Sequence, residues 1–152
     1  MVEAIKKHHK ISTDEAKKRA KELMRMVEID DVEERFHLQP HFFSGGMRQR
    51  CVLAMALASE PKVIFADEPT GALDSHSSRV LLETFTQMNQ EMGATVFMVT
   101  HDAFSASYCS RILFLKDGEI FQELRKGRRT RKEFLNQILD VLSLTGGEAN
   151  AE

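Results

Sequence analysis

No apolar run in this 152-residue chain approaches the roughly 20 residues that a bilayer-spanning helix needs. The first ten residues are polar and basic, without the apolar stretch of a secretory signal. Only two cysteines occur, Cys51 and Cys109, too few for a disulfide framework. Both sit in apolar or helical surroundings and are expected to be small packing residues. No Cys/His cluster has zinc spacing, and His8-His9 alone makes no metal site. Neither sign of charge is in excess: 21 Lys and Arg stand against 23 Asp and Glu, a net charge of -2. That removes the general case for nucleic-acid binding. Internal repeats and low-complexity segments are absent too. What remains is a cytosolic globular protein the size of one domain, 42% hydrophobic and 29% charged, long enough to bury a core.

Several elements are legible. Ser12-Thr13-Asp14-Glu15 has capping-box spacing and predicts a helix over 13–28. Asp30 or Asp31 caps a shorter second helix ending near Phe36, so helices precede any strand signal. The stretch 47–59 is apolar on nearly every face, which predicts a buried helix ended by Pro61. Val63-Ile64-Phe65-Ala66 is an uninterrupted apolar run, the pattern of a strand buried on both faces in a parallel sheet. A helix over 75–92 terminated by Gly93, a second buried strand over 95–99 and a short helix near 104–109 come next. Ile112-Leu113-Phe114-Leu115 is a further strand. Asp117-Gly118 then predicts a type I′ hairpin into 120–124. Thr130-Arg131-Lys132-Glu133 is a second capping box, opening a helix that buries Phe134, Leu135, Ile138, Leu139 and Leu142. The start, with Lys6, Lys7, His8, His9 and Lys10, reads as flexible and solvated. Alternating strands and helices predict an α/β fold with a parallel sheet flanked by helices.

Four short motifs carry chemistry. Ser44-Gly45-Gly46-Met47 stands directly ahead of the 47–59 helix, where glycines admit a ligand to the backbone and free N–H groups face an anion. Asp67-Glu68 follows the 63–66 strand at its carboxyl end, where ligands bind in open α/β sheets. Asp67 suits Mg²⁺, directly or through water, and Glu68 suits the polarisation of an attacking water. Gly71-Ala72-Leu73-Asp74 is a tight turn whose aspartate is also a good N-cap. His101, after the 95–99 strand and before Asp102, is placed to donate to a phosphate oxygen or to orient water. Each motif alone has an ordinary structural reading. Together they do not.

Ser44-Gly45-Gly46-Met47-Arg48-Gln49-Arg50, Phe65-Ala66-Asp67-Glu68-Pro69-Thr70-Gly71-Ala72-Leu73-Asp74 and Val99-Thr100-His101-Asp102 resemble the ATP-binding cassette (ABC) transporter ATPases. The resemblance implies that Ser44, Gly45, Gly46 and Met47 belong to the signature loop and Asp67 to Walker B. It makes Glu68 the catalytic base, sets Asp74 in the D-loop and makes His101 the switch histidine. Phe43 and Met47 replace the family's usual Leu and Gln beside an intact Ser-Gly-Gly. ATP and Mg²⁺ are the implied cofactors. A membrane permease and a second ABC ATPase domain, packed head to tail, are the implied partners, with no nucleic acid. The implied location is cytoplasmic, on the inner face of the cell membrane. Residues 104–111 and the ending from Phe134 to Gly147 are similar to the bacitracin-type antimicrobial-peptide resistance branch.

No G-x-x-x-x-G-K-[ST] motif, the pattern that cradles β- and γ-phosphates, occurs in the 152 residues. The resemblance therefore implies a C-terminal part of an ABC ATPase, without the Walker A and Q-loop portion. The expected fold is a partial P-loop NTPase preceded by part of the helical subdomain. Its expected divisions are 1–45 ending in the signature loop, 46–124 as the α/β core, and 125–152 as basic loop, helix and tail. Such a chain is expected to be catalytically incomplete alone, with nucleotide meeting Ser44, Gly45, Gly46, Met47 and Asp74 in trans. The alternatives are a non-catalytic remnant that regulates a full-length ATPase, or the C-terminal lobe of a chromosome-maintenance (SMC-type) ATPase.

Overall fold

A computed structural model describes residues 1–147, with side chains described as far as 144; the end of the 125–152 segment lies outside the described residues. Two compact units divide the chain, 1–98 and 99–152.

The first unit begins with α1 (Val2–His8), where the sequence suggested a solvated start. The reason is tertiary. Ile5 is completely buried, and the His9 ring donates from Nε2 to the Ala58 carbonyl at 2.9 Å. Next come α2 (Thr13–Met26) and the single turn α3 (Val32–Arg35). The predicted capping box opens α2: Ser12 Oγ accepts from the Glu15 N–H at 3.2 Å, and Glu15 Oε2 accepts from the Ser12 N–H at 2.8 Å. A 3₁₀ turn over Pro40–Phe42 leads to α4 (Gly45–Leu57). Leu53, Ala54 and Leu57 bury one face of α4, while Val52 and Met55 are exposed, so that helix is not apolar-packed all round as predicted.

Helix α2 packs on both α1 and α4. Arg50 of α4 adds a 2.6 Å bond to the Glu28 carbonyl. The helices before Ser44 thus belong to the same compact unit as α4 and the strands after it.

Strand β1 (Val63–Asp67), α5 (Ser75–Met92) and β2 (Thr95–Val99) complete this unit. The Thr95 N–H donates to the Lys62 carbonyl at 2.8 Å, which sets the two strand starts side by side and makes the pair parallel, joined through α5. Gly93, at φ 65°, ends α5 as predicted. Leu81, Leu82, Phe85 and Met88 of α5 are buried. Burial on both faces of β1 does not occur: Ile64 and Ala66 are buried, but Val63 is exposed and Phe65 is 79% exposed. Phe97 of β2 shares that open face, 5.7 Å from the Phe65 ring. Uninterrupted hydrophobicity reports what a strand offers for burial, and here only one face has a cover.

The second unit has one turn of helix, α6 (Ala103–Ala106), an antiparallel hairpin of β3 (Arg111–Lys116) and β4 (Glu119–Arg125), and α7 (Arg131–Gly147). Asp117 (φ 52°) and Gly118 (φ 83°) form the positive-φ turn expected of a type I′ hairpin. Phe114, Phe134 and Ile138 make its core, with Ala103, Ala106, Ile112, Leu124 and Val141 packed around them. Leu139 and Leu142, expected inside, are exposed. The core needs only one narrow stripe of α7. Cys51 and Cys109 are both free, and burial pushes both thiols above the ordinary range, as packing residues require.

Candidate functional site

The predicted site residues fall at element boundaries. Ser44 is the N-cap of α4: its Oγ accepts from the Met47 N–H at 3.3 Å. Ser44 and Gly45 are exposed, whereas Gly46 is buried. A Cβ on Gly46 would lie 2.8 Å from Ser77 Oγ and 2.9 Å from Ser77 Cβ, so the start of α4 approaches α5 as closely as a bare backbone permits. A Cβ on Gly45 would lie 4.0 Å from the Ala72 carbonyl oxygen. One helical turn on, Gln49 Nε2 donates to the Pro69 carbonyl at 3.3 Å. Met47 receives the Arg35 guanidinium at its sulfur, 3.9 Å away, and Arg48 Nη1 donates to the Phe43 carbonyl at 3.2 Å. The Ser-Gly-Gly turn and the 69–74 segment are therefore one packed surface.

Asp67 closes β1 and is exposed. Glu68 follows at φ 41°, in the left-handed region that residues other than glycine seldom adopt. The Gly71 N–H donating to the Glu68 carbonyl at 3.1 Å closes that turn. Asp74 is the N-cap of α5: Oδ1 accepts from the His76 and Ser77 N–H groups at 3.0 and 2.9 Å, and Oδ2 accepts from Ser77 Oγ at 2.8 Å. Those bonds, the Ser77 N–H first, hold the Asp74 carboxyl below its ordinary range.

His101 belongs to the second unit and is exposed. The neighbouring Asp102 caps α6, accepting from the Phe104 and Ser105 N–H groups at 3.1 and 2.9 Å and from Ser105 Oγ at 2.6 Å. Burial pushes the Asp102 carboxyl up, but these bonds and the His101 charge together hold it down.

Sequence reasoning passed over the contacts of Ser77 and Gln49, which join the Ser-Gly-Gly turn to the 69–74 segment and the start of α5. Both had a signal: Ser77 stands three residues after the Asp74 cap, and Gln49 one helical turn after Gly46. Among the described residues no group of three His, Cys, Asp or Glu side chains is arranged to hold a metal unaided. Mg²⁺ asks less, because it keeps waters and takes one or two carboxylates beside phosphate oxygens. A single exposed Asp67 at a strand's carboxyl end fits that donor set.

A glycine turn opening a helix, two acids at the end of a parallel strand and a capped aspartate turn packed on the first form the arrangement that the sequence motifs led one to expect of a nucleotide-handling protein. Residues 2–71 match the ABC transporter family model. The chain is 42% identical over 141 residues to the bacitracin export ATP-binding protein BceA of Halalkalibacterium halodurans, covering 93% of this chain and 54% of that one. Identity to the ABC transporter ATP-binding protein YxdL of Bacillus subtilis is 51% over 107 residues, covering 70% of this chain and 41% of that one. The dimeric post-hydrolysis structure of the ATP-binding cassette MJ0796, bound to ADP and Pi, superposes with a TM-score of 0.66 at 40% identity. That likeness covers 76% of this chain and 49% of the solved one. The chain spans about half the length of the curated relatives it matches.

These findings correct the expectations drawn from the missing phosphate-binding motif. The family match starts at residue 2 and occupies the N-terminal half, so the chain is not described by a C-terminal remnant. Likeness to a solved ATP-binding cassette runs over 76% of the chain, and this replaces the expectation of a partial fold preceded by part of the helical subdomain. Catalytic incompleteness, a regulatory remnant and an SMC-type lobe are withdrawn with it. The lack of a G-x-x-x-x-G-K-[ST] run is a fact about these 152 residues, and so is their length beside the relatives. Neither makes the chain a remnant.

Proposed function

We propose that this chain serves in the ATP-hydrolysing part of an ABC transporter, paired with a second ABC ATPase domain and working against a membrane permease. The observation that carries the reading is the packing of the Ser44-Gly45-Gly46 turn on the D-loop segment, with Gly46 pressed on Ser77. It leaves Ser44 and Gly45 outward, at the N-terminus of the 13-residue helix α4, where N–H groups and the helix dipole favour phosphate. Ser44, Gly45, Gly46, Met47 and Asp74 line the side of the site that faces nucleotide at the junction of two domains. The ADP and Pi in the dimeric MJ0796 structure support ATP as the ligand.

Asp67 would hold Mg²⁺, whose charge offsets what develops on the transferred phosphoryl group. Glu68 accepts a proton from the attacking water, carried on a left-handed turn directly after β1. The motif resemblance gives His101, in the second unit, the role of switch histidine. The likeness to a bacitracin export ATP-binding protein, over 93% of this chain, supports a transporter that handles peptides directed at the cell envelope. No described helix is long and apolar enough to cross a membrane, which leaves translocation to the permease.

Glu68→Gln tests the reading in the assembled transporter ATPase. Removing a general base lowers turnover by about a hundredfold or more, while nucleotide binding persists. Turnover unchanged by Glu68→Gln refutes the role given to this carboxylate.

A further inference from the structure

Residues 125–132 hold six cations in eight positions and no carboxylate. They join β4 to α7 at the open end of the hairpin, where Arg111 and Arg125 are register partners. The segment is held in shape. The Lys126 N–H donates to the Ser110 carbonyl at 2.9 Å, and Arg129 Nη1 donates to the Arg125 and Lys126 carbonyls at 3.2 and 3.3 Å. Glu133 Oε2 accepts from the Thr130 N–H and hydroxyl, both at 2.8 Å. The Arg131 guanidinium lies over the Tyr108 ring at 4.4 Å and the Phe104 ring at 5.7 Å, and Arg125 pairs with Glu123 at 2.7 Å.

Three cations remain. Among the described residues no carboxylate lies within ion-pair distance of Lys126, Arg128 or Lys132, and the last two are exposed. Seven residues beyond Lys132, on the same side of α7, Leu139 is 48% exposed, and Leu142 beside it is exposed too. Glu133 and Asp140 are the acids on this outer side of the helix; Glu133 is already engaged by Thr130 and lies beside Arg129. A fixed cluster of cations with leucines along the same helix matches an anionic lipid surface, whose phosphates meet the cations while its acyl boundary accepts the leucines. Nucleic acid would satisfy the cations and leave the leucines in water.

We propose that the 125–132 loop and the adjoining outer face of α7 dock on an anionic lipid bilayer. The inference is independent of the nucleotide reading, because neither ATP nor Glu68 enters it.

Vesicle co-sedimentation of the full chain tests it, with phosphatidylglycerol mixed into phosphatidylcholine against phosphatidylcholine alone. Binding is expected only to the anionic vesicles and weakens as salt rises. The triple variant Lys126→Gln, Arg128→Gln, Lys132→Gln is expected to lower partition by about a hundredfold, taking about fivefold for each cation near the leaflet. Arg128→Lys with Lys132→Arg retains binding. Lys7→Gln, Lys10→Gln, Lys18→Gln, which removes as many charges from the first unit, retains it too. Equal binding to neutral vesicles, or none to anionic ones, overturns the proposal. So does an unchanged partition of the triple variant. Binding to duplex DNA as tight as to anionic vesicles transfers the surface to nucleic acid and overturns it equally.

Discussion

Gly46→Ala is the most direct test of how the Ser-Gly-Gly turn is held. Alanine in place of glycine inside a helix ordinarily stabilises by about 1 kcal/mol. Here the new methyl would lie 2.9 Å from Ser77 Cβ and 2.8 Å from its Oγ, against an ordinary contact of 3.4 Å or more. Rotating the hydroxyl away would sacrifice its 2.8 Å bond to Asp74 Oδ2 and would still leave Cβ, which is fixed to the first turn of α5. The overlap is therefore relieved only by moving one helix start from the other. Overpacking of this kind costs about 1–3 kcal/mol, so after the helix gain the net change is a destabilisation of up to about 2 kcal/mol. The assay is a double-mutant cycle with Ser77→Gly, read by chemical denaturation. Ser77→Gly removes both clashing atoms, so the double variant should recover at least half of the loss after its own single cost is subtracted. A Gly46→Ala chain as stable as the parent, with no coupling to Ser77→Gly, would refute the close approach.

The second unit supplies further tests. Phe134 is completely buried, and Phe134→Ala should cost about 3–5 kcal/mol and melt that unit first, whereas Leu139→Ala should stay within about 0.5 kcal/mol; hydrogen-exchange protection of the β3–β4 hairpin distinguishes the two. Asp102→Ala removes the α6 cap and should cost about 1 kcal/mol at neutral pH. Because the Asp102 carboxyl is held low in the folded chain, its contribution is present above the unfolded value of about 3.9 and is lost as pH falls through the lower folded value. The stability gap between parent and Asp102→Ala should therefore narrow below about pH 4, and a gap constant to pH 2 would contradict the hydrogen-bonded carboxylate.

Much of the local structure was readable because its causes are local. Ser12 and Glu15 satisfy each other's N–H groups, Asp117 and Gly118 tolerate positive φ, and Asp74 folds back on the N–H groups two and three residues ahead. Each needs nothing beyond about one helical turn of chain. The positions of the Ser-Gly-Gly turn, the Asp67-Glu68 pair and the Asp74 cap were legible for a similar reason, since each follows from residue types at fixed spacing; their roles toward nucleotide are the proposal above. What could not be read was which apolar faces find a cover. Val63-Ile64-Phe65-Ala66 and Leu139 promise burial by composition, yet Phe65 and Leu139 face outward because no described element packs over them.

By itself the sequence determined the capped helices, the hairpin turn and the Ser-Gly-Gly and Asp74 turns, since short-range hydrogen bonding and backbone sterics act between near neighbours. Only the tertiary structure decided that the basic start is a helix anchored by Ile5 and His9, and that Gly46 closes on Ser77 rather than on solvent. Those outcomes rest on contacts between residues tens of positions apart, where packing depends on which surfaces the rest of the chain brings within reach.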